Sequence, residues 1–281
     1  MPAALRTAPH RGIRPAAPAA GVAAPAAAAV AALLAALAVM HPPASAAAAL
    51  PVDRAAGAVV TAPPLPVYAT RPPAAARLDY ELRRGALVGS ALLRWQPAGA
   101  RYELELTGRA LGIELIGWRS DGGFDRAGLA PERYVEHRIG RAAQSATFDR
   151  GRGRIGYAGR EVEHEFPPGA QDRLSWMIQL PAILAAQPPE PAPAAHWTIF
   201  VSDARGRAEP WTFEVAGREA LELPAGRVGL AWHLRRLPRQ AADSGVEVWL
   251  DPARQWLPVR VLLASDDGQT SDFRLRSDGA P

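Results

Sequence analysis

Cysteine is absent from the 281 residues. Its absence excludes disulfides, thiol nucleophiles, thiolate metal centres and acylation at a lipoprotein cysteine. Lysine is absent too, so all 32 basic residues are arginine. That bias accompanies heavy use of alanine, proline and glycine, as in GC-rich coding, and has no functional weight. The chain also lacks a G-x-S-x-G elbow, an S-x-x-K motif and a P-loop. Its folded part carries four histidines, His137, His164, His196 and His233, in neither H-E-x-x-H nor H-x-H spacing.

Charge of one sign is scarce where it would matter. The formal net charge is +4, but Arg6, Arg11 and Arg14 precede every acidic residue, which leaves 29 arginines against 28 acids beyond residue 46. The remainder is near neutral with signs interleaved, and there is no case for a nucleic-acid partner. One long uncharged run exists, residues 19–40, behind a basic, proline-rich start and ahead of HPPASAAAA. This three-part pattern predicts a signal peptide over 1–46, cleaved after Ala46 or Ala48, and a periplasmic product. The alternative is a retained inner-membrane anchor, the only route to a membrane in this reading. Residues 47–75, rich in Pro and Ala without periodicity, read as a linker or extended tail.

From Ala76 to the end, period-2 segments alternate with Gly-bearing turns. In YELEL, Tyr102, Leu104 and Leu106 share one face while Glu103 and Glu105 share the other, the pattern of a half-buried antiparallel strand. About a dozen such segments predict one mainly β domain over 76–281, a large curved antiparallel sheet, half-barrel or barrel. If a boundary divides it, that boundary falls near PPEPAPAA at 188–195.

PGAQDRLSWMIQLPAILAAQP departs from this pattern and predicts a helix over 169–186, capped by Asp172 and interrupted by Pro181. Only Ser175 and Gln179 break its apolar surface, so the helix is expected to lie enclosed on the concave side of the sheet. There it either seals the space as core or forms the wall of a pocket.

This segment, with the upstream FDRGRGRIGYAG and the downstream VEVWLDPARQWLPVRV, resembles the exported bacterial proteins grouped as domain of unknown function family 3108. The resemblance covers about 76–276. It implies compartment and fold and no activity; in shape, such a chain is similar to half-barrel lipoprotein carriers and lipocalin-like binders.

Candidate ligand-binding residues are Trp118, Trp176, Met177, Leu180, Ile183, Leu184 and Trp249, since buried tryptophans often line pockets. Glu161, Glu163 and Glu165 on one strand face read as a solvated face rather than a cation site. Asp149 and Asp172 form a carboxylate pair only if the fold brings FDR and QDR together. No catalytic constellation, metal or cofactor is expected. The leading functional expectation is a periplasmic binding or carrier module for a hydrophobic, lipid-like ligand. The alternative is a structural or interaction protein of the cell envelope, with an envelope protein as partner; an enzyme ranks last.

Overall fold

The computed structural model describes residues 59–188, 190, 194–239, 243, 245–264 and 268–280. The stretch read as a signal peptide, with its cleavage sites, lies outside them. No helix among the described residues is long and apolar enough to cross a membrane.

Fifteen of the sixteen strands fall beyond Ala76. The first half holds β1 (Val59–Val60), β2 (Ala76–Arg84), β3 (Leu87–Ala98), β4 (Arg101–Ala110), β5 (Ile113–Asp125), β6 (Gly128–Arg138), β7 (Arg141–Asp149) and β8 (Arg154–Tyr157). The rest comprises β9 (Glu163–Glu165), β10 (Gln171–Asp172), β11 (His196–Ser202), β12 (Ala208–Leu223), β13 (Gly226–Arg236), β14 (Val246–Asp251), β15 (Leu257–Ala264) and β16 (Thr270–Gly279). They form a single sheet in the order β1-β9-β8-β7-β6-β5-β4-β3-β2-β16-β15-β14-β13-β12-β11-β10. The chain thus winds out from β2 to β9 by hairpins, crosses to β10 at the other end of the order, and returns by hairpins from β11 to β16, which pairs with β2. Residues from both sides of 188–195 contribute to one core and one sheet.

Alternation explains the curvature. Along β2 and β4 the even-numbered residues Leu78, Tyr80, Tyr102, Leu104 and Leu106 are buried. They meet inward-facing Trp197, Phe213, Leu234, Val261 and Leu275 from the other half in one core. One apolar face of this length is buried only if the sheet rolls over on itself. β10, at the far end of the order, accordingly lies against β6. The sheet is curved and not closed: both ends finish in two-residue parallel pairs, β1 on β9 and β10 on β11. Those parallel edges depart from the all-antiparallel expectation. They are too short to carry a readable period. PWTFEVAG and EALEL lie on the single strand β12, bent by register shifts at Val215/Gly217 and Glu219/Leu221.

The one α-helix among the described residues, α1 (Trp176–Ala185), is shorter than the 169–186 expected and starts later. Gly169 turns the chain at φ +78°, and Gln171–Asp172 is drawn into the sheet beside Val201 and Ser202 before the helix begins. Backbone hydrogen bonds to β11 outcompete the first helical turn there. Between β1 and β2 the chain forms no helix or strand and is hydrogen-bonded to the domain. Arg71 N–H donates to Ala182 O (2.8 Å), Thr198 N–H to Tyr68 Oη (2.9 Å) and Trp95 Nε1 to Pro73 O (3.0 Å).

Candidate functional site

Every residue of α1 from Trp176 to Leu184 is buried. A ten-residue helix with nine buried residues is a core element. Trp176 stacks on Phe213 at 5.3 Å and lies 5.9 Å from Trp211. Met177, Leu180, Ile183 and Leu184 belong to the same cluster, with Leu180 at 0% exposure. Five of the seven proposed ligand-binding residues are therefore brought together, against one another and the sheet. Beside them, among the described residues, lies a cavity of about 10 Å³, lined by Leu65, Tyr68, Ala127, Gln179, Ile183 and Phe200 among others. That is room for about one water.

Trp118 sits in the same core but on β5, opposite Leu106 and Glu136, with its indole Nε1 buried and unbonded. Trp249 is buried in the same hydrophobic cluster. It shares a strand face with Glu247 rather than with Val248, where His233 stacks on it at 4.3 Å and Arg260 covers it at 4.5 Å.

The two polar residues of the helical segment satisfy backbone groups that the sheet leaves open. Gln179 Nε2 donates to Ala127 O (2.6 Å), and its Oε1 accepts from Leu129 N–H (2.9 Å), at the start of β6. Ser175 occupies the helix cap position without a side-chain capping bond of its own. Instead its Oγ accepts from Asp172 N–H (2.9 Å), while Asp172 Oδ1 accepts from the N–H groups of Leu174 and Ser175 (both 2.8 Å). This is the reciprocal pattern of a capping box, placed one turn ahead of the helix. Asp172 is thus a cap of the turn that leads into α1, and the helix proper begins four residues later.

Asp172 has a second role that the sequence did not disclose. Its Oδ2 accepts from Ser120 Oγ at 2.5 Å, and Tyr102 Oη lies 3.0 Å from the same hydroxyl. Because the serine proton is committed to the carboxylate, the tyrosine donates to the serine. The chain Tyr102–Ser120–Asp172 ties β4 and β5 to β10 across the seam of the rolled sheet. Burial raises the Asp172 carboxyl to about 6 against these hydrogen bonds, and it holds Tyr102 and Tyr134 protonated far above the usual phenol range. A carboxylate, a hydroxyl and a phenol in contact are acid–base chemistry in principle. Here all three are at most 1% exposed, and the hydroxyl faces the carboxylate rather than open space. The arrangement serves as a structural latch.

The remaining sequence candidates lie apart. Asp149 is exposed and accepts from Arg152 N–H (3.0 Å), whereas Asp172 is buried, so the two form no pair. Glu163 is engaged by Arg152 and Arg154, and His164 turns inward to Gly206 O (2.9 Å). Among the described residues no group of three side chains could hold a metal ion. A feature missed from the sequence is the arginine set around Glu136, with Arg138 and Arg205 bound to it at 3.3 and 2.9 Å. Its only trace in sequence was the recurrence of arginine beside glycine at hairpin tips.

A family model described as "Protein of unknown function (DUF3108)" matches residues 77–274. No curated protein matches the chain. Among solved structures, the chain is similar to a beta-barrel-like protein of domain of unknown function DUF1849 from Brucella abortus, at 12% identity and a TM-score of 0.48, over 74% of this chain and 98% of that one. It is also similar to MucB, solved alone and in complex with MucA(peri). Those matches are 16% identical with TM-scores of 0.32 and 0.31, and they cover 74% of this chain and 55% and 51% of MucB. At these identities the likeness is one of fold alone.

Proposed function

The chain belongs to the DUF3108 family, a membership that carries no activity, and we propose that it is an exported envelope module that works through its outer surface and sheet edges. In this reading α1 is the core of the half-barrel and not the wall of a ligand chamber. The observation that carries it is the seat of α1: nine consecutive buried residues with about 10 Å³ of space beside them. A chamber for a lipid-like ligand is usually about 300 Å³ or more. Two wider concavities among the described residues, about 450 and 230 Å³, are lined mainly by charged side chains.

A carrier for a hydrophobic ligand is the second reading. It is favoured by two buried donors without partners, Trp118 Nε1 and Tyr134 Oη, which a ligand's polar end would satisfy. Titration with a fluorescent fatty-acid analogue separates the two. Surface action predicts no saturable emission change. Saturable binding at micromolar concentration, lost in Trp118→Ala, would establish the carrier.

A further inference from the structure

Three neighbouring hairpins end at one rim of the half-barrel. Their tips read RRGALVG between β2 and β3, RALGIE between β4 and β5, and HRIGRAA between β6 and β7. Each joins arginine, glycine and exposed aliphatic residues. Successive tips are two strands apart, hence about 10 Å. Of the eight exposed large apolar side chains among the described residues, four lie here: Val88 (60% exposed), Leu111 (64%), Ile113 (42%) and Ile139 (38%). Isolated surface aliphatics need no explanation, but a row of them on adjacent tips does.

The charge beside this row is one-sided. A concavity of about 230 Å³ next to the third tip is lined by Arg138, Arg141, Arg160 and Arg205, with Gln144 and a single carboxylate, Glu136. Glu136 is buried and bound by Arg138 and Arg205. Arg141 and Arg160 are exposed and form no ion pair among the described residues, and Arg205 Nε is buried without a hydrogen bond. Arg141 and Arg160 thus add positive charge to this open concavity beyond what Glu136 balances. Planar guanidinium forks suit phosphate oxyanions. Elsewhere arginine is mostly matched to carboxylate, as in Arg94–Glu105–Arg119 on the sheet's outer face, so this surplus is local.

We propose that this rim docks on an anionic phospholipid surface, the aliphatic tips entering the interfacial layer and the arginine concavity taking a lipid phosphate. Apolar side chains flanked by arginine are the combination by which peripheral proteins bind such surfaces. A protein partner would have met the aliphatic row equally well. The unmatched arginine charge is what selects an anionic bilayer.

The test is flotation of the full chain with vesicles of phosphatidylcholine alone or with 30% phosphatidylglycerol. The wild-type chain is expected to bind the anionic vesicles at least tenfold more tightly, with weakening in high salt. Each arginine near an anionic leaflet contributes roughly fivefold, so Arg141→Gln with Arg160→Gln should reduce binding about 20- to 30-fold. Leu111→Asp with Ile139→Asp should weaken it independently. All four positions are exposed, and an unchanged thermal midpoint verifies folding. Arg101→Gln, on the opposite rim, is the control and should bind as wild type. Equal binding to both vesicle types, or wild-type binding by both double variants, would overturn the proposal. So would binding of inorganic phosphate without binding of vesicles, since that marks a site for a free anion.

Discussion

Leu180 and Asp172 show how differently single residues can be read from sequence and from structure. Leu180 is fully buried on α1, and truncation to alanine should cost about 2–5 kcal/mol, as for close-packed core positions. Urea unfolding tests this, and a loss below about 1 kcal/mol would mean that the helix sits on slack space. Asp172 was legible as a capping residue because Asp ahead of an apolar run signals a helix start. Its bond to Ser120, fifty-two positions away, could not be read, since it depends on the sheet rolling over. The pH consequence follows from that burial. The unfolded carboxyl titrates near 3.8 and the folded one near 6, so the native state holds an extra proton between these values. Its contribution to stability is fully present below about pH 4 and is lost as pH rises through 6, on the order of 3 kcal/mol. Asp172→Asn cannot ionise and should show a flatter stability curve than wild type between pH 4 and 6. Identical curves for the two proteins would show that the carboxyl is not held protonated in that window.

Among the elements, the long hairpins were readable and the short or bent ones were not. Segments such as ARLDYELRR and RYELELTGR alternate over nine or ten residues, enough to fix both strand and buried face. β1 and β10 have two residues each and carry no period. The helix was visible from its composition, but its start was not, because tertiary pairing of Gln171–Asp172 overrides local propensity. The join between β5 and β6 depends on a glycine for a reason that strand patterns do not reveal. A Cβ on Gly122 would stand 2.3 Å from Ala130 O and 2.8 Å from Pro131 Cα, both backbone atoms that cannot swing away. Gly122→Ala should therefore cost about 1–3 kcal/mol or more through overpacking, lowering the denaturation midpoint, and an unchanged midpoint would mean that this strand pair yields easily. Hydrogen exchange gives an element-wide check. Amides of 177–185 other than Pro181 should open only with global unfolding, while the tips at 111–112 and 140 exchange freely.

At the scale of the whole molecule, a near-neutral charge count concealed an uneven distribution. The sequence showed signs interleaved along strands, which holds for the outer face, yet the hairpin order gathers Arg138, Arg141, Arg160 and Arg205 from three separated segments at one rim. Composition sums cannot anticipate that, because it arises from which strand ends share a rim. The same rolling of a single sheet decides the interior. Both halves press their apolar faces onto α1, which the proposed reading takes as filled core. The most direct measurement is native mass spectrometry of the chain purified from its own host in high salt, followed by denaturation and lipid extraction. A filled core predicts a mass equal to the polypeptide alone and an extract without a stoichiometric hydrophobic molecule. One such molecule per chain, retained through high salt and released only on unfolding, would contradict the account and make α1 the wall of a pocket.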